Sequence, residues 1–135
     1  NTDLTEVSVV TVAEGKKIIG LIENVTLEGT TGQTVEKAKI DTGSSRTSVD
    51  SKVAGKVGLG PIVSAVRIRS LATKRVDRRP LAQARIVIAG VKFDIAVSVA
   101  DRKEMKYRVL VGMDILKSGL FLIDPSKSDK DERTV

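Results

Sequence analysis

From Val91 to Val99 the side chains change character at nearly every step. Val91, Phe93, Ile95, Val97 and Val99 alternate with Lys92, Asp94, Ala96 and Ser98. A period of two puts one set on each face of an extended chain, whereas a helix repeats about every 3.6 residues. Just upstream, Ala82, Ala84, Ile86 and Ile88 alternate with Gln83, Arg85 and Val87. Ala89-Gly90 separates the two runs, so a hairpin is expected there. Val66 and Ile68 alternate with Arg67 and Arg69 in a further strand. Thr5 to Val12, Lys17 to Leu27, Thr34 to Ile40 and Leu120 to Ile123 complete the expected strands, with a turn over residues 28–32. Val, Ile and Thr supply nearly a third of the chain, and β-branched residues suit pleated surfaces. Helix signals are few: Asp114 to Ser118 before Gly119, and a turn of helix within Ser48 to Val57 before Gly58. The expected fold is all-β, a closed barrel of short, mostly antiparallel strands with one short C-terminal helix.

What the chain lacks narrows its chemistry. With 135 residues and 41% hydrophobic content it can build one core. Residues 1–125 read as that domain and 126–135 as a charged tail. There is no Cys and no His, which excludes disulfides, thiol nucleophiles, the Ser-His-Asp triad and His-based metal sites. The net charge is +6, and Phe93, Tyr107 and Phe121 are the sole aromatics. So small an aromatic set is poor for stacking on bases, so nucleic acid is not the expected partner. No apolar run approaches the roughly 20 residues of a membrane span. No signal peptide is seen, the cytoplasm is the expected compartment, and a start at Asn1 leaves room for a trimmed upstream segment.

The strand ending at Ile40 runs directly into Asp41-Thr42-Gly43-Ser44-Ser45. Gly43 lets the backbone turn, and the hydroxyls of Thr42 and Ser44 can hydrogen-bond a carboxylate or nearby backbone. Asp-Thr-Gly alone is three common residues, most often a polar turn. Far downstream, Val109-Leu110-Val111-Gly112-Met113-Asp114 reads as a buried strand, a glycine and a helix start. Together, and separated by hairpins, the two segments are much more specific.

This combination resembles the retropepsin-like aspartic peptidases over about Ile40 to Asp124. Within them it is similar to the family named ATP-dependent zinc proteases, which accompany a ligase that adds glutamates to a ribosomal protein. The residues behind that finer likeness are 37–43, Arg46-Thr47-Ser48, Arg79-Pro80-Leu81 and 120–126. The resemblance implies an aspartic endopeptidase. Two carboxylates share a proton across one water, and such a pair titrates as a unit. One Asp-Thr-Gly per chain then implies a homodimer with Asp41 from each copy. Thr42 would brace the two loops, Gly43 would line the substrate and Ser44 would hydrogen-bond Asp41. Gly112 would pack beneath the loop and Asp114 would cap the helix.

Several departures stand out. Met113 occupies the position where retropepsins often carry Arg, and the candidate flap, Ser64 to Gln83, has no glycine. No His, no Cys and no phosphate-binding loop support the zinc or ATP of the family name, so no cofactor or metal is expected. Arg75, Arg78 and Arg79 lie mid-flap, where they would favour an acidic, glutamate-rich peptide substrate if they cover the cleft. They serve equally as charges that protect a sheet edge. The alternative function is a non-enzymatic basic barrel that binds RNA or a ribosomal or ligase partner.

Overall fold

The hairpin at Ala89-Gly90 is present, and its turn explains its register. Both residues take positive φ, 49° and 80°, the conformation a two-residue turn needs to match strand twist. The computed structural model describes residues 15–69 and 74–127, and the expected strand at Thr5 to Val12 lies outside them. In chain order the elements are β1 (Lys17–Ile19), β2 (Ile22–Glu28), β3 (Gln33–Ile40), β4 (Ser48–Asp50), α1 (Ser51–Val57), β5 (Ile62–Arg69), β6 (Val76–Ile88), β7 (Val91–Ala100), β8 (Val109–Val111), α2 (Met113–Leu116) and β9 (Phe121–Ile123).

Six strands close on themselves in the order β2-β3-β8-β4-β7-β6, with β6 returning to β2 through Val25↔Ile88 and Leu27↔Ile86. Closure removes the open edges that a flat sheet would leave. The far half of β6 leaves the barrel to pair with β5, which makes a projecting hairpin. Most pairings are antiparallel, but β3 with β8, β4 with β7 and β1 with β9 are parallel. Inside, Leu27, Ile86, Ile88, Val49, Val97 and Val111 are fully enclosed. Burying each aliphatic side chain contributes about 1.5–3 kcal/mol.

Three expectations need correction. Lys17 to Leu27 is two strands, because Gly20 packs on the Lys127 carbonyl so closely that a Cβ would come within 2.6 Å. That contact diverts β1 to β9, while β2 joins the barrel. The described residues hold two helices: besides the one short C-terminal helix expected, the turn expected within Ser48 to Val57 is a two-turn helix that ends at Gly58 as its sequence signals. Ser48 to Asp50 is strand, and Asp50 starts α1 by accepting the Lys52 N–H at 3.1 Å. Gly58 ends α1 in the left-handed conformation, φ 71°. The helix expected at Asp114 to Ser118 begins one residue earlier and stops at Leu116.

Asp50 has a second task. Its side chain is 2% exposed, and its Oδ1 accepts the Arg102 N–H at 2.8 Å. Burial alone would raise its pKa. The N–H groups of Arg102, Val53 and Lys52 and the Arg108 cation outweigh that, holding it below the ordinary 3.8. A carboxyl depressed in the folded state stabilises above its unfolded pKa and loses that contribution as pH falls through the folded value. Asp50→Ala is therefore expected to lower stability by about 1–3 kcal/mol at pH 7. In denaturant titrations the gap to the unmodified protein should close below pH 3.8. A gap that stays constant down to pH 2 contradicts this.

Candidate active site

Ile40 turns into the core, and the next residue leaves it. Asp41 is held from both sides: its N–H donates to Val111 O at 2.9 Å, and its carbonyl accepts the Ser44 N–H at 3.3 Å. Its carboxylate is 28% exposed. Oδ1 accepts the Gly43 N–H at 2.8 Å, and Oδ2 faces the Lys39 ammonium at 3.9 Å. Thr42 and Gly43 are exposed beside it. The loop thus presents one fixed carboxylate at the surface with one oxygen oriented by backbone.

The second segment locks the first. Met113 N donates to Ser44 O at 2.7 Å and Asp114 N to Ser45 O at 3.2 Å. Thr47, fully buried, joins the two: its N–H and hydroxyl donate to Asp114 at 2.9 and 2.7 Å, while its hydroxyl accepts the Gly112 N–H at 3.2 Å. Gly112 lies against Arg46 so tightly that a Cβ would come within 2.7 Å of the Arg46 carbonyl carbon. Gly112 therefore lies against the active loop, and Asp114 sits in the first turn of α2, where its Oδ1 accepts the Ile115 N–H at 3.0 Å. Gly112 occupies the cap position without a side-chain bond, and Asp114 also anchors the loop through Thr47. The Ser44 hydroxyl donates to Arg46 O at 3.0 Å and not to Asp41.

The flap arginines lie on the projecting β5–β6 hairpin. Arg78 faces Arg67 and Arg79 faces Val66 across the β5–β6 hairpin. Arg75 and Arg78 are exposed, and Arg79 pairs with Asp77 at 3.8 Å. The hairpin tip, residues 70–73, lies outside the described residues. Among the described residues no three Asp or Glu groups converge in a way that could hold a metal.

Sequence reasoning missed Thr47 and Lys39 as parts of this site. Lys39 was legible, since it lies two residues before Asp41 on a strand and so shares its face. Thr47 was not, because its partners are about 65 residues away.

The same fold occurs in solved structures. The chain is similar to a protein of unknown function from Legionella pneumophila, at 18% identity and TM-score 0.58, covering 83% of this chain and 95% of that one. It is similar to the EIAV protease complexed with the inhibitor HBY-793, at 17% identity and TM-score 0.59, covering 76% and 91%. It is also similar to the simian foamy virus (mac) protease, at 16% identity and TM-score 0.51, covering 71% and 91%. At such identities the likeness is one of fold, and the fold is retropepsin-like. No curated protein matches the chain. A family model does match, over residues 48–134, beginning just past the Asp41 loop. That stretch is most of the chain, and the chain belongs to the RimB-like family, described as the retropepsin-like aspartic endopeptidase RimB.

Proposed function

We propose that the protein is an aspartic endopeptidase that works as a homodimer on acidic peptides. The observation that carries this reading is the partly exposed Asp41 carboxylate, held by Gly43 N–H and clamped from beneath by residues 111–114. One such loop per chain supplies half a catalytic pair. Two copies related by a twofold axis would bring Asp41 to Asp41, with Thr42 and Gly43 flanking the junction. Two like charges a few ångströms apart cannot both ionise, so the pair holds one proton. The ionised Asp41 takes a proton from water, and the resulting oxygen bonds to the scissile carbonyl carbon. The protonated Asp41 hydrogen-bonds the carbonyl oxygen and returns a proton to the leaving amine as the C–N bond breaks. Met113 leaves the neighbouring arginine of other retropepsins absent, and the Thr47–Asp114 bonds carry the bracing.

The basic hairpin supports acidic peptides as substrates, as does the likeness of residues 37–43 and 120–126 to proteins that accompany a glutamate ligase. A substrate whose carboxylates meet Arg75, Arg78 and Arg79 loses contacts when these become Ser. That triple variant is expected to lower kcat/KM for a glutamate-rich peptide about tenfold or more, and for its glutamine counterpart less than about twofold. Equal losses on both peptides contradict the acidic preference. The charge of +6 keeps one rival in view. Binding of RNA that falls steeply with salt and ignores Asp41→Asn, with no peptide cleaved, would favour the non-enzymatic module.

A further inference from the structure

The strand registers extend the face of Asp41 across the barrel wall. Lys39, which shares that face, lies opposite Leu110, Leu110 opposite Ser48, and Ser48 opposite Ser98. Residues directly opposite one another share a face of the sheet. One step farther from Asp41 come Arg108, Asp50 and Ala100. Asp50 donates its N–H to Arg108 O at 2.8 Å, and Arg108 Nη1 stands 3.9 Å from Asp50 Oδ1. Arg102 lies two residues past Ala100, just beyond the end of β7.

Arg102 is only 8% exposed, which is unusual for an arginine. Its Nε donates to Tyr107 O at 3.1 Å, and its backbone is fixed by Asp50. Both Asp50 oxygens are already occupied, by the N–H groups of Arg102 and Lys52. Among the described residues no carboxylate lies within 4.0 Å of the Arg102 guanidinium, and its two terminal nitrogens have no acceptor. They are not sealed off either, because Ser48 Oγ is the one fully enclosed side-chain polar atom without a partner there. Burial foremost, and then repulsion from Arg79, pull the guanidinium below its ordinary pKa, while Asp50 and Asp41 oppose this. Asp41 is thus within electrostatic reach. An ion withdrawn from water without a counter-ion is costly, and a native protein keeps one where an anion completes it.

We infer that Arg102 is a further carboxylate-reading residue of the cleft, besides the hairpin arginines, offering the free edge of its guanidinium to a carboxylate of the bound peptide. The planar fork suits a carboxylate bidentately, and Asp50 and the Tyr107 carbonyl hold it in place. The inference rests on the proposed function for the identity of the occupant, but not for its own test. The carboxylate can come from an acidic side chain or from the peptide C-terminus.

Binding is measured by fluorescence anisotropy on the Asp41→Asn protein, which separates recognition from cleavage. The probes are a labelled Glu-Ala repeat peptide and its Gln-Ala counterpart, each with a free or amidated C-terminus. The carboxylate-bearing peptide is expected to bind about tenfold or more tightly than its neutral counterpart, and Arg102→Gln should cut that preference at least about threefold, with the hairpin arginines intact. Loss on the Gln series assigns the side chain as the source, and loss on amidation assigns the C-terminus. Arg102→Lys keeps the charge without the fork and should lose at least about threefold on the carboxylate peptide alone, covering the case in which Gln is not tolerated. No preference for a carboxylate, or a preference unchanged in both variants, overturns the inference. Arg102-dependent binding, together with no cleavage by the protein that keeps Asp41, would instead overturn the peptidase reading alone.

Discussion

Asp41→Asn is expected to leave a folded protein that has lost peptide cleavage. Asparagine keeps a carbonyl oxygen where Asp41 Oδ1 accepts the Gly43 N–H, so the loop retains its shape. The ion pair to Lys39 is long at 3.9 Å, with that lysine 55% exposed, and contributes at most about 1 kcal/mol. The amide, however, can neither take a proton from water nor hold the one that the proposed pair would share. Proton transfer by a positioned side chain contributes about 10²–10⁴-fold, and kcat/KM on a glutamate-rich peptide should fall by at least that much. The thermal midpoint should move by only a few degrees. A variant that keeps more than about a tenth of the activity would place the chemistry elsewhere.

Gly112→Ala tests the clamp beneath that loop, and its effect should be on stability first. A Cβ there would stand 2.7 Å from the Arg46 carbonyl carbon, 2.8 Å from its oxygen and 2.9 Å from its nitrogen. These are backbone atoms, so no side chain can swing aside. The loop would have to lift, stretching Met113 N to Ser44 O and Gly112 N to Thr47 Oγ1 together. Overpacking typically costs about 1–3 kcal/mol, and rigid neighbours put this site at the upper end. Denaturant titration should show a loss of about 3 kcal/mol, with cleavage lost even at temperatures where the variant is folded. An unchanged unfolding midpoint would mean that the two loops are not packed as described. By contrast Gly90→Ala meets open space and adds only the strain of a φ of 80°.

The barrel was legible in the sequence wherever one strand face is buried and the other wet. Residues 91–95 show this: Val91, Phe93 and Ile95 are half-buried, and Lys92 and Asp94 are exposed. Past Ile95 the signal fails, because Val97 and Ser98 are both covered, one by the core and one by β4. The break at Gly20 was invisible because its cause, the Lys127 carbonyl, lies at the other end of the chain. For the site, local cues pointed to Asp41 and to the segment around Gly112. The Asp114 role was legible in part, since helix-start chemistry places it in the first turn, whereas Thr47 offers two donors only once the chain has folded. The Asp50–Arg102–Arg108 group gave no local pattern at all, since it forms where three strand ends meet.

The most direct test mixes subunits. Unmodified protein and Asp41→Asn protein are unfolded, combined in equal amounts and refolded together, and cleavage is measured at constant total protein. If each catalytic pair draws one Asp41 from each of two copies, random pairing leaves about a quarter of the dimers intact, and activity falls to about a quarter. Activity at about half, in simple proportion to the unmodified chain, would mean that a single copy suffices and would contradict the shared pair.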